Sequence, residues 1–271
     1  MTDEAKKAKE RRGIGAIEVG GLLLNALVLS GKAMSLGDLA RESGMPASKA
    51  HAYLVSFGKL GLVEQDGATG MYQLGPFALQ MGLVSLQQIT PVKLAIPEIT
   101  RLAASIDQTV ALAVWGSHGP TVIYIAESTR PIHVNMHAGS VMSMLGTATG
   151  LVFSAFMPEK LVDKHIAREL KDEMVIGQAG VQYTQKDLAA VLVEVREQGL
   201  ARAQSLPIPG INALSAPVFN HAHALSLVIT ATGTRGSFDT DWKGEIASAV
   251  RASAALLSHQ LGYMPARLVQ D

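Results

Sequence analysis

An α+β fold in two parts is predicted, on three observations. Residues 35–74, SLGDLARESGMPASKAHAYLVSFGKLGLVEQDGATGMYQL, parse as two short helices around a tight turn, then a two-stranded hairpin. Residues 108–135 and 200–231 hold alternating, β-branched runs, with helical patterns before, between and after them. The 271 residues, 48% of them hydrophobic, suffice for two domains with substantial cores. The expected arrangement is a winged helix-turn-helix at 1–75, a linker helix at 76–90 and an α+β domain at 91–271.

Each element has a local cause. Residues 1–12 form a mildly basic arm with Lys6, Lys7, Lys9, Arg11 and Arg12. Ile14, Ile17, Leu24, Leu27 and Val28 recur at helical spacing, and Gly31 is a stop. Gly20 and Gly21 weaken that helix but permit close packing. Ser35 caps the next helix, with Asp38 three positions on. Gly44 ends it in a left-handed conformation, and Pro46 suits the first turn of a third helix. There Ala47, Ala50, Leu54 and Phe57 share one side, and Ser48, Lys49, Ala52 and Ser56 the other. Gly61 closes it, and Leu62–Gln65 and Met71–Leu74 flank the turn DGATG.

Such a module presents one helix to the DNA major groove. The residues able to contact bases or phosphates are Ser35, Ser48, Lys49, His51 and Tyr53. Phe77–Gln88 is apolar over so much of its circumference that it needs a partner surface, a second subunit or its own second domain. Helices follow at 92–106, 147–157, 158–171, 184–199 and 240–262, with strands at 108–115, 121–127, 132–135, 200–204, 213–218 and 225–231.

Composition excludes several functions. With 23 basic and 23 acidic residues, overall charge gives no support to nucleic-acid binding, so contacts must be localised. Cysteine is absent, which removes disulfides, thiol catalysis and cysteine-ligated zinc. The start MTDEAKKAKERRG lacks the apolar core of a signal peptide, and no apolar run could span a bilayer. A cytoplasmic protein without membrane contact is expected. His221 with His223, and His133 with His137, are pairs only, too few ligands for a metal site. No G-x-S-x-G elbow or catalytic triad is legible, and no cofactor is expected.

One constellation suits a ligand. LGTATG at 145–150 enters a helix, where exposed backbone N–H groups and the helix dipole favour an anion. Thr147 and Thr149 add hydroxyls. Thr230 and Thr232 lie two apart, so their side chains share one face of a strand. Met142, Met144 and Leu145 could wall a pocket, and Asn212 and Ser215 are further polar candidates.

The fragments LARESGMPASKAHAYL, GLVEQD, YQLGPFAL and INALSAPVFNHAHALSLVITATG, in this order and spacing, resemble the IclR family of bacterial transcription factors. The resemblance spans about residues 14–262. It implies a winged helix with a GAF/PAS-like effector domain, and a homodimer or dimer of dimers on double-stranded operator DNA. It also implies a small organic acid effector, aromatic acids included, and control of a catabolic operon rather than catalysis. Carried over, Ala148, Thr149 and Gly150 supply amides to the effector carboxylate, Thr230 and Thr232 face the pocket, and Gln204 stands where some members carry an acid. The chain departs at Ala52, where the family often has arginine, so the operator sequence does not carry over. The competing reading is an enzyme or signalling module whose N-terminal helices serve only dimerisation.

Overall fold

A computed structural model describes residues 13–88, 90–128, 136–171, 183–205 and 207–265. The basic arm at 1–12, the strand expected at 132–135 and His133 lie outside them. Two compact units divide at Ile89/Thr90, so the linker helix falls in the first.

The first unit is built on α1 (Gly15–Ser30), α2 (Leu36–Glu42) and α3 (Ala47–Lys59), then the hairpin β1 (Val63–Gln65) and β2 (Tyr72–Leu74). Gly31 ends α1 with φ 62°, its N–H bonded to Leu27 O. Gly20 is buried where a Cβ would lie 2.9 Å from both Phe57 and Tyr53, so its missing side chain lets α1 meet α3. Ser35 caps α2 by accepting from Asp38 N at 3.1 Å. Pro46 stands at the N-cap of α3, one residue before the first turn expected for it, and its carbonyl accepts from Lys49 and Ala50 N. Leu23, Leu27, Leu39, Ala50, Leu54, Val63 and Tyr72 join into one core.

The wing pairs antiparallel, Val63 opposite Leu74. Asp66 organises its tip, accepting from Ala68 N, Thr69 N and the Thr69 hydroxyl at 2.7–2.9 Å. Those bonds, led by the Thr69 amide, hold the Asp66 carboxyl below its ordinary range. The first unit ends in α4 (Pro76–Gln88), whose Phe77, Leu79, Met81, Leu83 and Val84 are all exposed.

The second unit contains α5 (Pro91–Ile106), β3 (Thr109–Gly116), β4 (Gly119–Ala126), α6 (Ala148–Phe156) and α7 (Glu159–Glu169). It continues with α8 (Gln185–Gln198), β5 (Ala201–Gln204), β6 (Ile211–Phe219), β7 (Leu225–Thr234) and α9 (Glu245–Gln260). The five strands form one antiparallel sheet in the order β4-β3-β7-β6-β5. Ala113, Val228, Ala213 and Ala203 turn one face to a core shared with Leu151, Phe153, Val162, Leu188 and Val195 of α6, α7 and α8. By strand alternation, buried Leu112, Ile229 and Leu214 occupy the opposite face, where α5 and α9 meet the sheet. Thr184 and Asp187 form a reciprocal capping box on α8, and Gly199 ends it with φ 59°.

Candidate functional site

On α3 the outward face is as expected. Ser48, Lys49, His51, Ala52 and Ser56 are exposed, while Ala50 and Leu54 are buried. Lys49, His51 and Ser48 therefore leave their polar ends on the surface of α3. Two of the expected contact residues also serve the fold. The Ser35 side chain is spent on its cap, accepting Asp38 N and donating to the Asp38 carboxylate at 2.7 Å. Tyr53 is half-buried, its ring packed on Gly20 and stacked with Phe57 at 6.4 Å between ring centroids, so the ring takes part in the α1–α3 contact. Ala47, expected on the inner side, is exposed.

The second unit holds a cavity of about 70 Å³. Thr147, Ala148 and Thr149 at the start of α6 line it with Ala203, Ile211, Ala213, Thr230 and Thr232 from the sheet. Met136, Met142, Pro207 and Ile208 complete the wall, so no charged side chain borders it among the described residues. The helix start, both sheet threonines and Met142 thus converge as the sequence suggested.

Hydrogen bonds commit most of its polar groups. Thr147 caps α6: its hydroxyl donates to Ser143 O at 2.7 Å and accepts from Gly150 N at 3.0 Å. Thr232 donates to Asn212 O at 3.1 Å. Ser215, Thr230 and Thr149 form a buried chain of hydroxyls, with 2.7 Å between neighbours. Three hydroxyl protons serve two contacts, so one remains. Ser215 is 0% exposed and lies behind the wall; when it donates inward, the spare proton emerges on Thr149 or Thr230. The first two N–H groups of α6, on Ala148 and Thr149, have no intrahelical acceptor by helix geometry. The wall is mostly apolar, and its uncommitted donors are few: the two helix-start amides and one hydroxyl proton.

Other expected pocket residues lie elsewhere. Gln204 and Asn212 are paired across β5 and β6, and both point to the far face of the sheet. Gln204 donates to Thr240 at 2.6 Å, and Asn212 bonds Phe238 O and Ser205 N. Strand alternation is the reason: Ala203 and Ala213 take the cavity side. Met144 and Leu145 are buried in the core beneath α6, not in the cavity wall. The Gly150 amide is taken by the Thr147 cap, and a Cβ there would lie 2.0 Å from Ser143 O.

Sequence reasoning missed Glu169. At the end of α7, its carboxylate accepts from the Ser143 hydroxyl at 2.7 Å and from Met144 N and Leu145 N at 2.9 Å each. Nothing in the local pattern pairs residues some 25 apart. No group of three or more His, Cys, Asp or Glu converges among the described residues.

The two halves match two family models. Residues 16–67 match the IclR helix-turn-helix domain, and residues 84–259 the bacterial transcriptional regulator IclR C-terminal domain. The chain is 24% identical to the HTH-type transcriptional regulator KipR of Bacillus subtilis (strain 168), covering 89% of this chain and 94% of KipR. It is 23% identical to the transcriptional repressor IclR of Escherichia coli (strain K12), covering 89% and 88%. The crystal structure of Pseudomonas aeruginosa HmgR superposes with a TM-score of 0.83 at 36% identity, covering 93% of this chain and all of that one. These relatives are transcriptional regulators rather than enzymes, and no helix among the described residues is long and apolar enough to cross a membrane. With a DNA-binding helix-turn-helix and an effector-type domain matched in order, the chain belongs to the IclR family of bacterial transcriptional regulators.

Proposed function

We propose that this DNA-binding regulator is switched by a small organic carboxylate held at the start of α6, and that it controls a catabolic operon from the cytoplasm. The observation that carries the reading is the meeting of the α6 start with Thr230 and Thr232 at one mostly apolar cavity. A carboxylate accepts hydrogen bonds and donates none, so it suits the Ala148 and Thr149 amides together with one proton from the Thr149–Thr230 pair. With no cationic side chain in the wall among the described residues, the N-terminal end of the helix supplies the favourable potential. The cavity equals the share of about two liquid waters at ~30 Å³ each, so even a short-chain acid needs the wall to give a little. An aromatic acid requires Met136, Met142 and Ile208 to swing aside, and flexible methionines permit this.

On the DNA side, Ser48, Lys49 and His51 read one half-site, and a homodimer, alone or paired, reads a pseudo-palindrome. The exposed apolar residues of α4 support a second copy as their cover. The effector acts by favouring one dimer geometry over another. Thermal-shift screening against short-chain and aromatic acids, each beside its amide, tests the ligand. Acids should raise the melting temperature and amides should not; equal shifts from both would refute the carboxylate reading.

A further inference from the structure

Glu169 lies outside the cavity wall, yet its bonds govern the segment that forms the helix start. The carboxylate fixes Ser143, Met144 and Leu145. The Ser143 hydroxyl oxygen then accepts Gly146 N at 2.8 Å, and the Ser143 carbonyl accepts the Thr147 hydroxyl. Thr147 in turn holds Gly150 N, and its carbonyl accepts Leu151 N at 3.0 Å. Each bond orients the next, so the direction of the Ala148 and Thr149 N–H groups descends from one carboxylate on α7. The Met144 and Leu145 side chains, buried in the core, pin the other side of the segment.

A solvent-facing cleft of about 310 Å³ borders Glu169, with His165 and Arg168 of α7 and His118 in its lining. Met142 borders both this cleft and the cavity at the start of α6. The clamp thus joins α7 on one side to the helix-start segment on the other.

We propose that Glu169 is a positioning residue for the cavity: its carboxylate sets the angle at which the start of α6 presents its amides, and ties α7 to ligand occupancy. The inference rests on the carboxylate reading for what the amides hold, but the clamp itself can be tested without ligand. In Glu169→Gln, one accepting oxygen becomes an NH₂ group that opposes a backbone N–H.

The experiment is amide exchange and ¹⁵N NMR on the full chain, wild type against Glu169→Gln. Exchange at Met144 and Leu145 should quicken at least about tenfold, and exchange at Gly150 and Leu151 should quicken with it. Sodium propionate should move the Ala148 and Thr149 amide signals saturably in the wild type, and about tenfold more weakly in Glu169→Gln. Ile99→Val, which acts in a buried site on α5, should bind propionate as the wild type does despite its lower melting temperature. Should Glu169→Gln fail to fold, Ser143→Ala removes one of the carboxylate's three bonds together with the Gly146 N bond and should shift both readouts the same way. Faster exchange confined to Met144 and Leu145, or unaltered propionate affinity in the folded variant, overturns the positioning role. Coupled exchange with no response to propionate or to any acid of the thermal-shift panel in the wild type leaves the clamp standing and sinks the carboxylate reading.

Discussion

Ser48, Lys49 and His51 on α3 stand in solvent, and no side-chain hydrogen bond ties any of them among the described residues. At the start of α6 the reverse holds: Thr147, Thr149, Ser215, Thr230 and Thr232 are all buried and bonded, three of them to one another. Groups free in solvent can follow base edges and phosphates but lose rotamer entropy on binding. Groups already fixed lose little more when a ligand arrives, and their geometry selects it in advance. The contrast separates the expected effects of substitution. Changes on α3 should alter affinity and spare stability, whereas changes around α6 should do both.

Gly150→Ala tests the contrast most severely. A methyl 2.0 Å from Ser143 O and 2.5 Å from Met144 Cα cannot be relieved by a rotamer, since both are backbone atoms. A loss of about 3–5 kcal/mol is expected, as for other severe core clashes. Thermal denaturation should show a fall of roughly 6–20 °C at ~2–4 °C per kcal/mol. A wild-type melt would mean the 143–150 segment is not held as described.

Lys49→Ala with His51→Ala should weaken operator binding by about tenfold or more, lower the salt slope by about one per lost phosphate contact, and leave the melting temperature unchanged. Fluorescence anisotropy across a salt series measures all but the last, and a melt supplies that. Retained operator affinity would remove α3 from the interface. Thr147→Val should cost about 1–2 kcal/mol through the lost cap, and also weaken any ligand held at the helix start. A ligand response unchanged beside a lowered melt would separate capping from binding.

The smallest effect concerns pH. The Arg101 guanidinium grips Glu98 at 2.6 and 2.9 Å and holds its carboxyl below the ordinary 4.5, with burial opposing. A depressed carboxyl stabilises the fold above its unfolded value and loses that stabilisation as pH falls through the folded one. Urea unfolding should therefore weaken below about pH 4.5 in the wild type, and less steeply in Glu98→Gln.

Much of this was legible because it is local. Ser35, Gly31, Gly44 and Gly61 mark helix ends through capping and left-handed backbone, which neighbouring residues decide. The polar side of α3 follows from helical spacing alone. Thr230 and Thr232 share a face by parity, and both reached the cavity. The same parity could not place Gln204 or Asn212, because the side a strand turns inward is fixed by register with partners far along the chain. Met144 and Leu145 were misplaced for a related reason: apolar residues beside a pocket and beneath a helix look alike in sequence. Glu169 had no local signal, and only the fold brings it to Ser143.

The donors at the start of α6 belong to the main chain, and peptide nitrogens have no codon. Drift at Met142, Ile208 or Ala213 can enlarge, narrow or reshape the chamber, but short of a proline it cannot rewrite the hydrogen-bonding end. If the proposed carboxylate site holds, descendants of this gene can trade the body of the ligand far more readily than its polar head.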